Sequence, residues 1–360
     1  MQEKNRNLAY SVIIPTFNRP GVLKRCLETI NHVRTPSQDW EVLVIDNSSD
    51  ENLCRDNSNI TNSFHPSHFN YIKMEPLGLM AARHMGVEIA RGWVISFIDD
   101  DSFLSETWLE GIEQAFADPG NVLASGPIRP EYETQPPSWL SYLWTTNEMG
   151  HMMGYLSLVD FGNSQRRMSP LNVWGCNYSI RKDIFLKVKG SHPDYLPSKW
   201  KQYQGDGEVG LSVKIQGLGQ DALYSPLCEI RHWVPTKRMC LEYLKERSFF
   251  NGLHESFTAF RRENGLSLKE GVIPLENPPS IVPKQLRLIL HLLKSIVWPS
   301  KHIEEPEDVK RIKSCLQASY LAGWNYHRKE LKSDLDLQAY VLRPHYMGEN
   351  AAIPLKTKAR

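Results

Sequence analysis

Tyr10-Ser11-Val12-Ile13-Ile14 is a short apolar run stopped by Pro15, the pattern of a buried strand. Pro20 opens a stretch in which Val22, Leu23, Cys26, Leu27 and Ile30 recur at helical spacing. Trp40 to Ile45 (WEVLVI) repeats the strand pattern and ends in the turn cluster Asp46-Asn47-Ser48-Ser49-Asp50. Tyr71 to Lys73 predicts a third short strand, Gly78 to Ala90 a helix, and Trp93 to Ile98 a further strand. Leu104 to Phe116 then reads as a helix and Val122 to Ser125 as a strand. Strands alternating with helices predict an α/β fold, a parallel sheet covered on both faces. Ligands of such sheets sit beyond the carboxyl ends of the strands. Three of those ends, Pro15-Thr16-Phe17-Asn18, Asp46-Asn47 and Asp99-Asp100-Asp101, are polar, which predicts one pocket bounded by all three.

From Pro127 to about Pro170 the rhythm breaks down, with Pro136, Pro137, Trp139 and Trp144 among frequent glycines. This reads as a long irregular insertion lining a site, too aromatic for a disordered linker. Glu208 to Gln216 reads as a helix closed by Gly217 and Gly219. After His232-Trp233-Val234-Pro235 the pattern is helical, over Met239 to Phe260, Pro283 to Trp298 and Pro306 to Arg328.

The apolar run Val94 to Ile98 leads straight into Asp99, Asp100 and Asp101. Alternation along an extended backbone predicts Asp99 and Asp101 on one face and Asp100 on the other. Like charges at the end of a buried strand repel unless a cation stands between them. Hard oxygen ligands suit Mg²⁺ or Mn²⁺, ions that travel with substrate phosphates. The plain alternative is a solvated acidic loop ahead of the next helix, with Ser105 as N-cap.

Composition narrows the classes. A chain of 360 residues holds one large or two medium domains, and 41% hydrophobic with 23% charged residues is ordinary for a soluble globular protein. A formal net charge of +1 gives no whole-molecule field that would draw nucleic acid. Six scattered cysteines without a C-x-x-C pair favour free thiols in a reducing compartment over a disulfide framework or zinc site. Met1 to Asn7 lacks the apolar core of a signal peptide, and no apolar run approaches bilayer-spanning length. The expected location is cytoplasmic.

Five blocks stand in a meaningful order: SVIIPTFNRP at 11–20, VLVIDNSS at 42–49, LGLMAARHMGVEIARGWVISFIDDDS at 77–102, WGCNYSIRKDIF at 174–185 and GDGEVGLSVKIQGLG at 205–219. Together they resemble the inverting family 2 glycosyltransferases of GT-A fold. Asn47 replaces a second acidic residue often found there, His84 stands where asparagine is usual, and Glu208 where aspartate is commoner. The likeness spans roughly residues 10–250 and is weak beyond. It implies a mostly parallel central sheet with helices on both faces and an all-helical C-terminal extension. The GT-A domain would cover 1–236, with a nucleotide-binding half at about 8–126 and an acceptor half at about 127–236, and the extension 237–360.

The resemblance also implies roles. Pro15, Thr16, Phe17 and Arg19 would line the nucleotide pocket, and Asp46 would accept a hydrogen bond from the base, although an Asx-turn is its plain use. Gly78 and Arg83 would reach the donor, whereas a surface ion pair, for example with Glu88, is the ordinary reading of Arg83. Asp99 and Asp100 would face the donor, and Asp101 with Asp99 and His232 would hold Mg²⁺ or Mn²⁺. Glu208 would be the general base with Asp206 in reserve, one of the two alternatively capping its helix. Trp174, Gly175 and Asn177 would lie on the acceptor side, with Trp174 and Trp233 stacking on sugars or packing in the core. The implied donor is a nucleotide-sugar, a UDP-sugar first of all, and the acceptor a glycan or other hydroxyl. A lipid-linked acceptor would suit a basic amphipathic helix at 283–299 lying on the inner membrane face, against packing within the protein or on a second subunit. Rival readings are a polyprenyl-phosphate sugar synthase of the same fold, which needs no base, and a non-catalytic nucleotide-sugar-binding scaffold.

Overall fold

A computed structural model describes residues 8–75, 77–266 and 306–354. The four apolar runs become β1 (Tyr10–Thr16), β2 (Trp40–Asp46), β3 (Phe69–Lys73) and β4 (Val94–Ile98). They lie parallel in the order β3-β2-β1-β4. Ile13, Ile14, Val42, Val44, Ile45, Val94, Ile95 and Ile98 are fully buried, which is why these strands read as unbroken apolar runs. The intervening helices are α1 (Pro20–Asn31), α2 (Glu51–Asn62) and α3 (Leu79–Ile89). Pro20 starts α1 at a position that lacks a hydrogen-bonding partner anyway, and the Asp50 carboxylate caps α2 by accepting from Asn52 and Leu53.

The helix expected from Leu104 begins later. Ser102–Leu104 is a strand, β5, and α4 covers Trp108–Phe116. Ser105 is not its cap; the hydroxyls of Ser105 and Thr107 both turn to the Leu227 carbonyl, at 3.4 and 3.1 Å. The sheet continues with β6 (Leu123–Ser125). The supposed irregular insertion is also built, from β7 (Ile128–Tyr132), β8 (Thr145–Asn147), β9 (Gly150–Met153), β10 (Leu158–Asp160) and β11 (Arg166–Met168). Most of these strands are too short to show a period.

The remaining elements are β12 (Asn177–Arg181), α5 (Lys182–Lys187), α6 (Gly207–Gly217), β13 (Ala222–Tyr224) and β14 (Ile230–Val234). The main sheet runs β11-β13-β6-β12-β4-β1-β2-β3, with β12 antiparallel to both its neighbours. A second sheet, β5-β14-β7-β10-β9-β8, stands over the carboxyl end of β4, because β5 leaves directly from the aspartate turn.

Three helices follow among the described residues: α7 (Leu241–Glu263), α8 (Glu307–Ser333) and α9 (Leu335–Val341). A Cβ on Gly252 would fall on the Tyr320 carbonyl, and one on Gly323 on the Phe249 carbonyl, so α7 and α8 cross backbone to backbone. Leu244 and Leu316 join the main core, while Tyr203, Phe257, Leu331, Tyr340 and Tyr346 form a smaller aromatic one. The helix expected at 283–299 lies outside the described residues. Among those residues no helix is long and apolar enough to cross a membrane, and Cys26, Cys54, Cys176, Cys228, Cys240 and Cys315 are all free.

Candidate active site

The carboxyl ends of β1, β2 and β4 meet. The Thr16 hydroxyl donates to Asp100 Oδ2 at 2.7 Å, and the Asn47 N–H donates to the Thr16 carbonyl at 2.9 Å. Pro15 is buried behind them, and Phe17 stands 48% exposed at the rim.

The aspartates do not alternate as expected. β4 ends at Ile98, and Asp99 to Asp101 enter a turn closed by the Ser102 N–H on the Asp99 carbonyl at 3.0 Å. Asp100 and Asp101 consequently both face Arg19, which bonds Asp101 Oδ2 at 2.9 Å and also Asp100. Asp99 pairs instead with Arg83 at 2.7 Å. Burial raises the Asp100 carboxyl above the usual range despite Arg19. Burial pushes Asp101 the same way, but His232, Arg19 and Arg238 outweigh it and hold this carboxyl well below that range.

Strand register explains how His232 arrives. In the β5–β14 pair His232 lies opposite Ser102, and the Trp233 N–H donates to the Asp101 carbonyl at 2.8 Å. His232 Nδ1 donates to the Leu156 carbonyl at 2.9 Å, which turns Nε2 towards Asp101 Oδ1 at 3.3 Å. Arg238 spans the pair, with Nη1 at 3.4 Å from Nε2 and Nη2 at 3.0 Å from Asp101 Oδ2. A carboxylate and an imidazole are donor types that would suit a divalent cation. Among the described residues no cluster of three or more such ligands exists, so Asp99, committed to Arg83, leaves the expected metal set.

Asp46 is buried, accepting from the Ser48 N–H at 2.9 Å, Asn57 Nδ2 at 3.0 Å and the Tyr71 hydroxyl at 2.8 Å. The Asx-turn considered for Asp46 is present, and the side chain braces the pocket wall. Gly78 takes φ +104°, where a Cβ would stand 2.8 Å from the Tyr195 carbonyl, so the start of α3 is pressed against the Tyr195 loop.

Arg83 is not a surface residue. It is 2% exposed, donates to Asp99 and to the Gly175 carbonyl at 2.8 Å, and lies 3.9 Å from Glu208 Oε2. A Cβ on Gly175 would stand 2.7 Å from Arg83 Nη1 and 3.0 Å from Glu208 Cδ, so only glycine allows this approach. Asn177 drops out of the acceptor set. It is buried, accepting from the Trp108 indole at 3.1 Å and donating to the Cys228 carbonyl at 2.8 Å. Trp174 and Trp233 are half-buried, and the Trp174 Nε1–H is buried without a partner.

The two acids of the α6 motif separate clearly. Asp206 occupies the N-cap position, yet its side chain caps nothing. It accepts from His192 Nδ1 and from the Thr258 hydroxyl, each at 2.5 Å. Burial pushes this carboxyl up, but those two partners prevail and bring it down to about 2. Glu208 lies in the first turn with a side chain 25% exposed, and burial raises it above the ordinary glutamate value while Arg83 opposes.

Residues without a recognisable motif complete the surroundings. Arg238 follows β14, and Arg247 on α7 donates to the Tyr195 hydroxyl. Asp194 accepts from the Tyr195 N–H at 2.8 Å and faces His254 Nε2 at 3.1 Å. Only the helical spacing of Arg247 and His254 on Met239 to Phe260 hinted that both share a face.

Residues 11–186 match Glycosyl transferase family 2. The glucosyl-dolichyl phosphate glucuronosyltransferase of Haloferax volcanii is 24% identical over 184 residues, 49% of this chain and 55% of that protein. The glycosyltransferase AglE of the same organism is 30% identical over 125 residues, 34% of this chain and 40% of that protein. The matched part of the chain thus spans about half the length of these curated relatives. A solved mannosyltransferase of Pyrobaculum calidifontis, in complex with GDP-Man and Mn²⁺, aligns over 94% of this chain and 89% of its own at 16% identity. Its TM-score is 0.49, too slight a likeness to carry any argument about ligands. With strands β1, β2 and β4 converging on the aspartate turn as described, the segment 11–186 of this chain belongs to Glycosyl transferase family 2.

Proposed function

We propose that this chain is an inverting glycosyltransferase that moves a sugar from a nucleotide-sugar, a UDP-sugar in our reading, to an acceptor hydroxyl. Glu208 carries the reading. The other acids of the site already have close partners: Asp46 in Ser48, Asn57 and Tyr71, Asp99 in Arg83, Asp100 in Thr16 and Arg19, Asp101 in Arg19 and Arg238, Asp194 in the Tyr195 N–H and His254, Asp206 in His192 and Thr258. Glu208 has its nearest ion-pair partner 3.9 Å away, is partly open to solvent, and holds protons more readily than an ordinary glutamate. Those are the properties of a general base.

The acceptor hydroxyl gives its proton to Glu208 as its oxygen bonds to the anomeric carbon. The bond to the nucleoside diphosphate breaks on the opposite face, so configuration inverts, and the proton leaves Glu208 through its exposed edge. Asp101 and His232 are the residues that would hold a divalent cation, whose chemistry is to neutralise charge on the departing diphosphate. A base-requiring acceptor argues for a hydroxyl over a lipid phosphate.

A panel of nucleotide-sugars incubated with Mn²⁺ and the purified protein tests this. One donor should be hydrolysed or transferred, and Glu208→Gln should lower that rate by about 10²-fold or more while UDP still binds. Undiminished turnover in Glu208→Gln, or in EDTA, would overturn the reading.

A further inference from the structure

Four arginines surround the site, and three of them have carboxylates. Arg19 bonds Asp100 and Asp101, Arg83 bonds Asp99, and Arg238 bonds Asp101. Arg247 differs. Among the described residues no carboxylate lies within ion-pairing distance of it; its hydrogen bond goes to the Tyr195 hydroxyl, and its guanidinium packs 5.4 Å from the centre of the Tyr195 ring. Its Nε–H is buried and has no hydrogen-bond partner. A guanidinium presents five N–H donors in a fixed fork, and one that is largely withdrawn from water without a counterion is poised for an anion from outside.

The surroundings place that anion on the acceptor. Asp194 and, more weakly, Glu208, the proposed base, are near enough to act electrostatically on Arg247. Asp194 is already occupied by the Tyr195 N–H and His254, so it does not neutralise Arg247. Arg19 and Arg238 stand beside Asp101, where the proposed function puts the donor phosphates, and would serve those instead. Tyr195 is 51% exposed, offers a ring face for a sugar, and keeps its hydroxyl hydrogen to donate. We propose that Arg247 and Tyr195 form a subsite for an anionic group, carboxylate or phosphate, carried by the acceptor sugar. This rests on the reading of Glu208 as the base that faces the acceptor.

Three matched probes test it on the intact protein with Mn²⁺ and UDP bound: 4-nitrophenyl glucoside, the corresponding glucuronide and the corresponding 6-phosphate. Calorimetry or ligand-observed NMR should show one charged probe binding about tenfold more tightly than the neutral one, a preference weakened by salt. The favoured probe tells carboxylate from phosphate. Arg247→Gln should abolish the preference, Arg247→Lys should retain part of it, and Tyr195→Phe should weaken all three probes. Equal binding of charged and neutral probes, binding of none, or an unchanged preference in Arg247→Gln overturns the subsite. So does loss of UDP binding in Arg247→Gln, which would assign the arginine to the donor. Turnover of a nucleotide-sugar by the wild-type protein is read separately, so a charge-blind but active protein refutes the subsite and leaves the transferase reading standing.

Discussion

Replacing Arg83 by methionine removes a buried cation without removing its bulk, and the structure says what should follow. Arg83 stands 3.9 Å from Glu208, and its charge is the chief influence opposing the rise that burial imposes on that carboxyl. Two unit charges near that separation interact by about 1 kcal/mol in a water-like medium and about 4 kcal/mol at an effective dielectric near 20. Glu208 is a quarter exposed, so the lower figure is the safer one. One kcal/mol corresponds to a factor of about five in the ionised-to-protonated ratio, since RT is about 0.6 kcal/mol at room temperature. A base must be ionised to work, so activity rises with pH through the Glu208 transition, and Arg83→Met moves that rise to higher pH. At a fixed pH on the limb the variant should be at least about fivefold slower, recovering as pH is raised. Donor hydrolysis at saturating nucleotide-sugar, followed across pH, is the assay. An acid limb in Arg83→Met superimposable on that of the wild-type protein would refute the coupling, whatever happens to the plateau. The same change leaves the Gly175 carbonyl and the partly exposed Asp99 without their donor, so a loss of about 2–3 kcal/mol in stability should accompany it.

Two further outcomes concern the frame of the site. Asp206 sits at about 2, below its value in an unfolded chain, so it contributes stability that is complete above the unfolded value and lost as pH falls towards 2. The contribution is on the order of 2 kcal/mol, and Asp206→Asn should lower urea stability by that order near neutrality and flatten its acid dependence between about pH 4 and pH 2; an unaltered acid profile would contradict the assignment. Gly323→Ala puts a methyl into the Phe249 carbonyl, a backbone atom that cannot rotate away, and should cost about 1–3 kcal/mol in thermal unfolding; an unchanged melting temperature would mean that α7 and α8 do not cross as described.

How much of this could be read from the chain depends on how local the signal was. β1, β2 and β4 were legible because strands buried on both faces leave long apolar runs, and the three polar ends did converge. Alternation failed at Asp99 because the strand stops one residue earlier and a turn replaces it. Leu104 misled because an apolar residue ahead of a helix serves equally well in β5. The second sheet was invisible: pieces such as Thr145–Asn147 have no interior whose side chains could alternate. At the site, the motif offered Asp206 and Glu208 together, and only partners from distant positions, His192 and Thr258, show that Asp206 is taken and Glu208 is not. Burial rules out the surface ion pair considered for Arg83 and commits the Asn177 amide to Trp108 and Cys228, neither of which a local pattern could show.

The pairing of β5 with β14 has a consequence for how this scaffold can vary. Because His232 lies opposite Ser102, the β5–β14 ladder acts as a clasp, and the chain between the two strands is one closed excursion that also lends β6, β12 and β13 to the main sheet. Lengthening an outlying hairpin such as Thr145–Gly150 changes the entropy of that excursion only logarithmically and does not slide the clasp. The excursion can therefore be retailored for new acceptors while the Asp101–His232 pair keeps its spacing, whereas a single residue inserted between Asp101 and Ser102 would unfasten both at once.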